Sequence, residues 1–166
     1  MGPWSKVEKR IRDLSDPQLK LRFYFTSYRQ EKIATPHWTE SAGKLWVSLN
    51  GKTLWAIPKD RHSGDQGDIG MQARRSPGWL VEMMVEYMDV PRDDLLTWTP
   101  SWSTWGLIDI LLASDRRIGR RQWPALETRL VEPAAKFILA IRKYPASEMD
   151  NHVLYGRTSD TLHDPD

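Results

Sequence analysis

The sequence predicts an α+β domain built on a small antiparallel sheet, and three observations carry that reading. An amphipathic helical stretch comes first. Three strand-like segments follow, two of them joined by Asn50-Gly51. Everything after Ser76 then has helical spacing or turn composition, with none of the alternation of strand and helix that builds parallel βαβ units.

Each element has a local cause. Trp4, Val7, Ile11 and Leu14 recur at spacings of three and four, forming one face of an N-terminal helix whose other side carries Lys6, Glu8, Lys9, Arg10 and Arg12; Asp16-Pro17 stops it. From Leu19 to Tyr28, Leu21, Phe23 and Phe25 alternate with Lys20, Arg22, Tyr24 and Thr26, the period of a strand with one buried face. Residues 30 to 43, polar and containing Pro36 and Gly43, read as a loop. Lys44 to Leu49 and Lys52 to Ile57 flank Asn50-Gly51, a strong hairpin signal because both turn positions need a positive φ. Lys59 to Ser76 is glycine-rich and polar, a surface loop.

Ser76-Pro77 then opens a helix through Met88, with Trp79, Leu80, Met83, Met84 and Tyr87 inward and Glu82 and Glu86 outward. A short helix is expected from Pro91 to Thr97, and another from about Ser103 to Ile118 with Gly119 just past its end. Pro124 and Pro133 mark the first turns of two more. Residues 1-145 thus read as a single domain and 146-166 as a polar acidic tail, flexible or docked as a peptide.

With 166 residues the chain can bury a core without staples, and the absence of cysteine excludes disulfides, a thiolate nucleophile and cysteine-based metal sites. No apolar run reaches the roughly 18 residues of a membrane span, and the first 14 residues lack a signal-peptide core, so a soluble, cytoplasmic protein with no membrane partner is expected. The compositional oddity is nine tryptophans.

Four segments together resemble a family of small bacterial proteins with no assigned activity. They are Trp4-Ser5-Lys6-Val7-Glu8-Lys9-Arg10-Ile11, Thr26-Ser27-Tyr28-Arg29, the hairpin segment Trp46 to Gly51, and Leu112 to Arg121, which is similar to that family's L-x-x-D-R-R-x-G-x-R signature. The resemblance spans about residues 4 to 58 and 79 to 142 and implies the same fold; it implies no activity.

The hairpin carries the main functional expectation. A two-residue turn places Ser48 opposite Thr53 and Trp46 opposite Trp55 on one face, with Val47, Leu54, Leu45 and Ala56 on the other. If the first strand sends Leu21, Phe23 and Phe25 to the core, then Lys20, Arg22, Tyr24, Thr26 and Tyr28 join the tryptophans on a basic, aromatic surface. Two readings fit that surface: a second layer covers it, or it is an open binding face, since Trp, Tyr and Arg dominate interface hot spots and also stack on nucleic-acid bases. Trp46, Trp55, Arg22, Tyr24 and Tyr28 are the partner-binding candidates.

Arg116, Arg117, Arg120 and Arg121 form a second group, suited to phosphate or an acidic partner by their planar donor forks. The structural alternative is that they offset a helix C-terminus and that Asp115 pairs with one of them. Trp98, Trp102 and Trp105 read as an aromatic anchor between two helices or as the rim of a partner pocket. Asp60, Asp65 and Asp68 with His62 match no metal-binding loop, the remaining histidines are isolated, and no phosphate loop, nucleophile elbow or dinucleotide fingerprint is present. No catalytic residue, metal or cofactor is therefore expected.

The function expected is a non-catalytic protein-binding module, of the inhibitor or immunity type, whose partner is another protein. The alternative is a single-stranded RNA or DNA binder, permitted by 23 basic against 17 acidic residues over positions 1 to 144. A second alternative is an enzyme acting on a phosphorylated small molecule, which rests on the arginine run alone.

Overall fold

The computed structural model describes residues 4–29, 41–57, 78–100 and 104–144 of the chain. Its order is the expected one: α1 (Trp4–Leu14), β1 (Leu21–Arg29), β2 (Ser41–Leu49), β3 (Lys52–Ala56), α2 (Gly78–Asp89), α3 (Leu107–Ser114), α4 (Trp123–Arg129) and α5 (Pro133–Lys143), with short 3-10 turns at Arg92–Asp94 and Arg120–Gln122. The sheet is antiparallel in the order β1-β2-β3.

Alternation sets the β1-β2 register. Leu21 pairs with Leu49, Phe23 with Val47 and Phe25 with Leu45 on the core side, while Arg22, Tyr24 and Thr26 face Ser48, Trp46 and Lys44 on the other. Asn50 and Gly51 take φ of 51° and 80°, the left-handed pair that a tight hairpin needs.

The β2-β3 register differs from the expected one. Leu49 pairs with Lys52 and Ser48 with Thr53, but a bulge then inserts Leu54, so that Val47 faces Trp55 and Trp46 faces Ala56. An extra residue on one strand reverses the facing of every side chain beyond it. Trp46 and Trp55 therefore do not form a cross-strand pair. Trp55 turns into the core, where it is 7% exposed and its indole Nε1 donates to the Trp105 carbonyl at 2.9 Å.

The core lies between the inner sheet face and the helices. Val7 and Ile11 of α1 enter it, and Trp4 packs against Phe25 at 5.6 Å, so the N-terminal helix sits on the core side of the sheet. α3 is buried along nearly its whole length, with only Asp109 partly open. The helix expected from Ser103 to Ile118 is thus shorter at both ends; residues 101–103 lie outside the described set. Asp115 is extended, and its Oδ1 accepts from the Arg117 amide at 2.8 Å, a local side-chain bond that competes with another helical turn. Ile118 is nonetheless fully buried, which is why the hydrophobic spacing ran on past the true helix end.

Trp105 is not on a helix. It has φ of 49° and Gly106 has φ of 89°, a left-handed pair that turns the chain into α3. The expected helix from Pro91 to Thr97 is a single 3-10 turn followed by turns. The proline-led starts of α4 and α5 are present, and the Glu132 side chain caps α5 by accepting from the Ala134 amide at 3.3 Å. The loop expected at 59 to 76 and the tail from 146 lie outside the described residues.

A methyl group on Gly106 would stand 2.6–2.9 Å from the Glu132 side chain, including its Cβ, in a backbone region that L residues avoid. Gly106→Ala should cost about 2 kcal/mol or more, read as a lower urea midpoint with unchanged slope.

Candidate functional site

Two groups of candidates meet different fates. On the outer sheet face, the register sets Tyr24 beside Trp46, and their rings stack with centroids 5.1 Å apart and planes 10° from parallel. The Lys44 ammonium lies 5.1 Å from the centre of the Trp46 ring, a cation–π contact. Tyr24 is 39% exposed and Trp46 half-buried; Thr26 and Lys44 beside them are exposed. In the next row Ser48 is buried, while Arg22 is exposed and extends from β1, an edge strand, toward α1.

There the Glu8 carboxylate meets two guanidinium groups, Arg22 at 3.6 Å and Arg12 at 3.7 Å. The three strands contain Arg22, Arg29, Lys44 and Lys52 and no Asp or Glu, so the sheet is cationic throughout. Arg22, Tyr24 and Trp46 are thus brought together as expected, without Trp55. The β1-β2 pairing puts Tyr28 opposite Ala42; its side chain lies outside the described set. Lys44, Glu8 and Arg12 were not singled out from the sequence. Lys44 was legible, two residues before Trp46 on the same strand face; the approach of Glu8 to Arg22 depends on how α1 docks.

The arginine run divides. Arg117 turns inward. Its Nε and Nη2 bond the Asp115 carboxylate at 2.8–3.1 Å, and its Nη1 donates to the carbonyls of Val90 at 2.8 Å and Met88 at 3.4 Å. Asp115 Oδ2, the oxygen that takes Arg117 Nη2, also accepts from the Tyr87 hydroxyl at 2.6 Å. Arg142, from α5, is buried nearby and holds Asp16 at 3.1 Å and the carbonyls of Ala113 and Ile118 at 2.8 and 2.9 Å. Arg116, Arg120 and Arg121 are exposed, Arg120 lying over the Trp123 ring at 5.8 Å.

Burial raises the Tyr87 phenol well above its ordinary value, and the adjacent Asp115 charge and hydrogen bond add to the rise against the opposing pull of Arg117. Burial alone would lower Arg117, but the bonded Asp115 outweighs it and the guanidinium is held above its usual range. The group is therefore a neutral phenol and a fixed ion pair.

The other side chains with chemical potential are similarly committed. A cleft of about 450 Å³ is lined by Thr104, Asp109, Arg129 and Glu132 among others. Asp109 accepts from the amides of Val131 and Glu132 at 2.8 and 2.9 Å, Glu132 caps α5, and Arg129 holds the carbonyls of Leu95 and Trp98. Trp98 packs edge-on against Tyr87 at 5.9 Å, as an anchor between segments would. Among the described residues no group of three His, Asp or Glu could hold a metal ion, and all four histidines and the 60–68 carboxylates lie outside that set. No described helix is long and apolar enough to cross a membrane.

No family model, curated protein or solved structure matches the chain. The D-R-R segment that carried the family resemblance therefore draws its meaning from the packing just described.

Removing Arg117 would strand Asp115 in the core. Arg117→Ala should cost about 3 kcal/mol or more by urea denaturation, whereas Arg116→Ala should stay within about 0.5 kcal/mol. The raised Tyr87 pKa has a pH signature. In the unfolded chain the phenol releases its proton near 10.0, before the folded chain does, so stability is complete below that pH and falls as the pH rises through the folded value. Urea midpoints between about pH 9 and 11.5 should decline more steeply for the native protein than for Tyr87→Phe.

Proposed function

We propose that this protein is a non-catalytic protein-binding module, an inhibitor or immunity-type protein acting in the cytoplasm. Its anchor is the outer sheet face carrying Arg22, Tyr24, Lys44 and Trp46. The observation behind this reading is the Tyr24–Trp46 stack, 5.1 Å between centroids, carried on the outer face of the sheet rather than turned into the core, with Tyr24 exposed and Trp46 half-buried. Two rings already packed on each other lose little side-chain freedom when a partner covers them, and aromatic residues flanked by cations are the types that dominate interface hot spots.

The same face argues against a base-stacking platform. Trp46 is already stacked by Tyr24 and has the Lys44 ammonium over its ring, so a base stacking on the indole would compete with contacts made within the protein. An enzyme on a phosphorylated substrate has weaker support still, because Arg117 spends its donors on Asp115 and two carbonyls.

The test is retention of a partner from an extract of the source cell. The immobilised native protein should hold a protein that a Tyr24→Ala, Trp46→Ala double variant releases, with an affinity loss of about 30-fold or more. The near-UV circular dichroism and thermal midpoint of the variant check that it is folded. Equal retention by the two would overturn the reading.

A further inference from the structure

Resting on the binding face just described, we infer that the partner docks an acidic segment, and that the Arg12–Glu8–Arg22 seam is where its carboxylates are read. Charge complementarity makes the argument. The sheet strands hold four cations and no acid, and among the described residues it is Glu8, lent by α1, whose carboxylate meets Arg22. Glu8 is shared between two guanidinium groups at 3.6 and 3.7 Å, too long to be hydrogen bonds. One negative charge thus faces two positive ones, and each arginine keeps its donor fork for a second acceptor.

Exposure fits that role. The side chains of Arg12 and Arg22 are 41% and 52% exposed, whereas Glu8 is only 15% exposed beneath them. The contrast with Arg117 is direct: there the same side-chain type is fully engaged by Asp115 and two carbonyls. An incoming carboxylate can form the parallel two-bond fork with either exposed guanidinium. The register places Arg22 two positions before Tyr24 on the same strand face, so one extended segment can set a carboxylate on the arginines and an apolar side chain on the stack.

The experiment uses the full chain and a fluorescein-labelled peptide of glutamates with one central tyrosine, followed by polarisation, with a single-stranded oligonucleotide of equal charge as competitor. The peptide should bind and weaken steeply between low and high salt. Arg12→Ala and Arg22→Ala should each weaken it about fivefold, with Lys9→Ala, on the outer side of α1, unchanged. Glu8→Gln is the sharper variant. Removing the competing carboxylate should tighten the peptide about threefold, whereas a residue that merely held the arginines in place would weaken it. An unchanged or weaker Glu8→Gln complex overturns the inference. Loss of binding in Trp46→Ala with none in the arginine variants overturns it while leaving the aromatic face as the docking site. Indifference to all of these variants overturns both, and an oligonucleotide that binds more tightly than the peptide replaces the acidic protein with nucleic acid.

Discussion

The last turns of α1, α2 and α3 converge on the segment from Ala113 to Ile118, and what holds them there is a set of arginines bonded to backbone carbonyls. Helix ends leave carbonyl groups without helical partners, and burying them unanswered is costly. Arg117 answers Met88 and Val90, and Arg142 answers Ala113 and Ile118. Backbone bonds from Asp16 to Ser114 and from Arg116 to Leu14 complete the junction. Asp115 and Asp16 supply the countercharges, so that the guanidinium groups enter the interior paired. With these ends fixed, α1 lies against β1, and Glu8 comes within reach of Arg22.

The second determinant is a single residue. Without Leu54 as a bulge, β3 would present both tryptophans on one face and leave the core short of a large ring. With it, Trp55 fills the core and reaches the strained turn at Trp105, while Trp46 remains outside with Tyr24. The bulge thus divides two similar side chains into one in the core and one half-buried on the outer face.

Much of this was legible in the sequence. Amphipathic spacing located α1, the turn pair Asn50-Gly51 located the hairpin, and prolines 124 and 133 located the starts of α4 and α5. The outer-face residues Arg22, Tyr24 and Trp46 followed from alternation alone. The bulge was not legible, because Thr53-Leu54-Trp55 alternates as well with an extra residue as without one. Nor was the division of the arginines: Arg116 and Arg117 are neighbours of the same type, and only the positions of Val90 and Tyr87, far away in sequence, decide which one is buried. The end of α3 was masked by Ile118, whose burial comes from the turn after the helix and not from the helix itself.

Arg142 and Asp16 are 126 positions apart in the chain. At a synthesis rate of about 5–20 residues per second, roughly 6 to 25 seconds separate the appearance of the first from that of the second. Ala113 and Ile118 precede Arg142 by 29 and 24 positions, so only over about the last 1 to 6 seconds of that interval do their carbonyls stand with no arginine to meet, while the ends of α1 and α3 can touch but not lock. A nascent chain therefore passes through a stage in which its sheet and first helices exist with an open seam, and it reaches its native junction only when the last helix arrives. Such a chain depends on late closure, and on whatever shields apolar surface in the meantime.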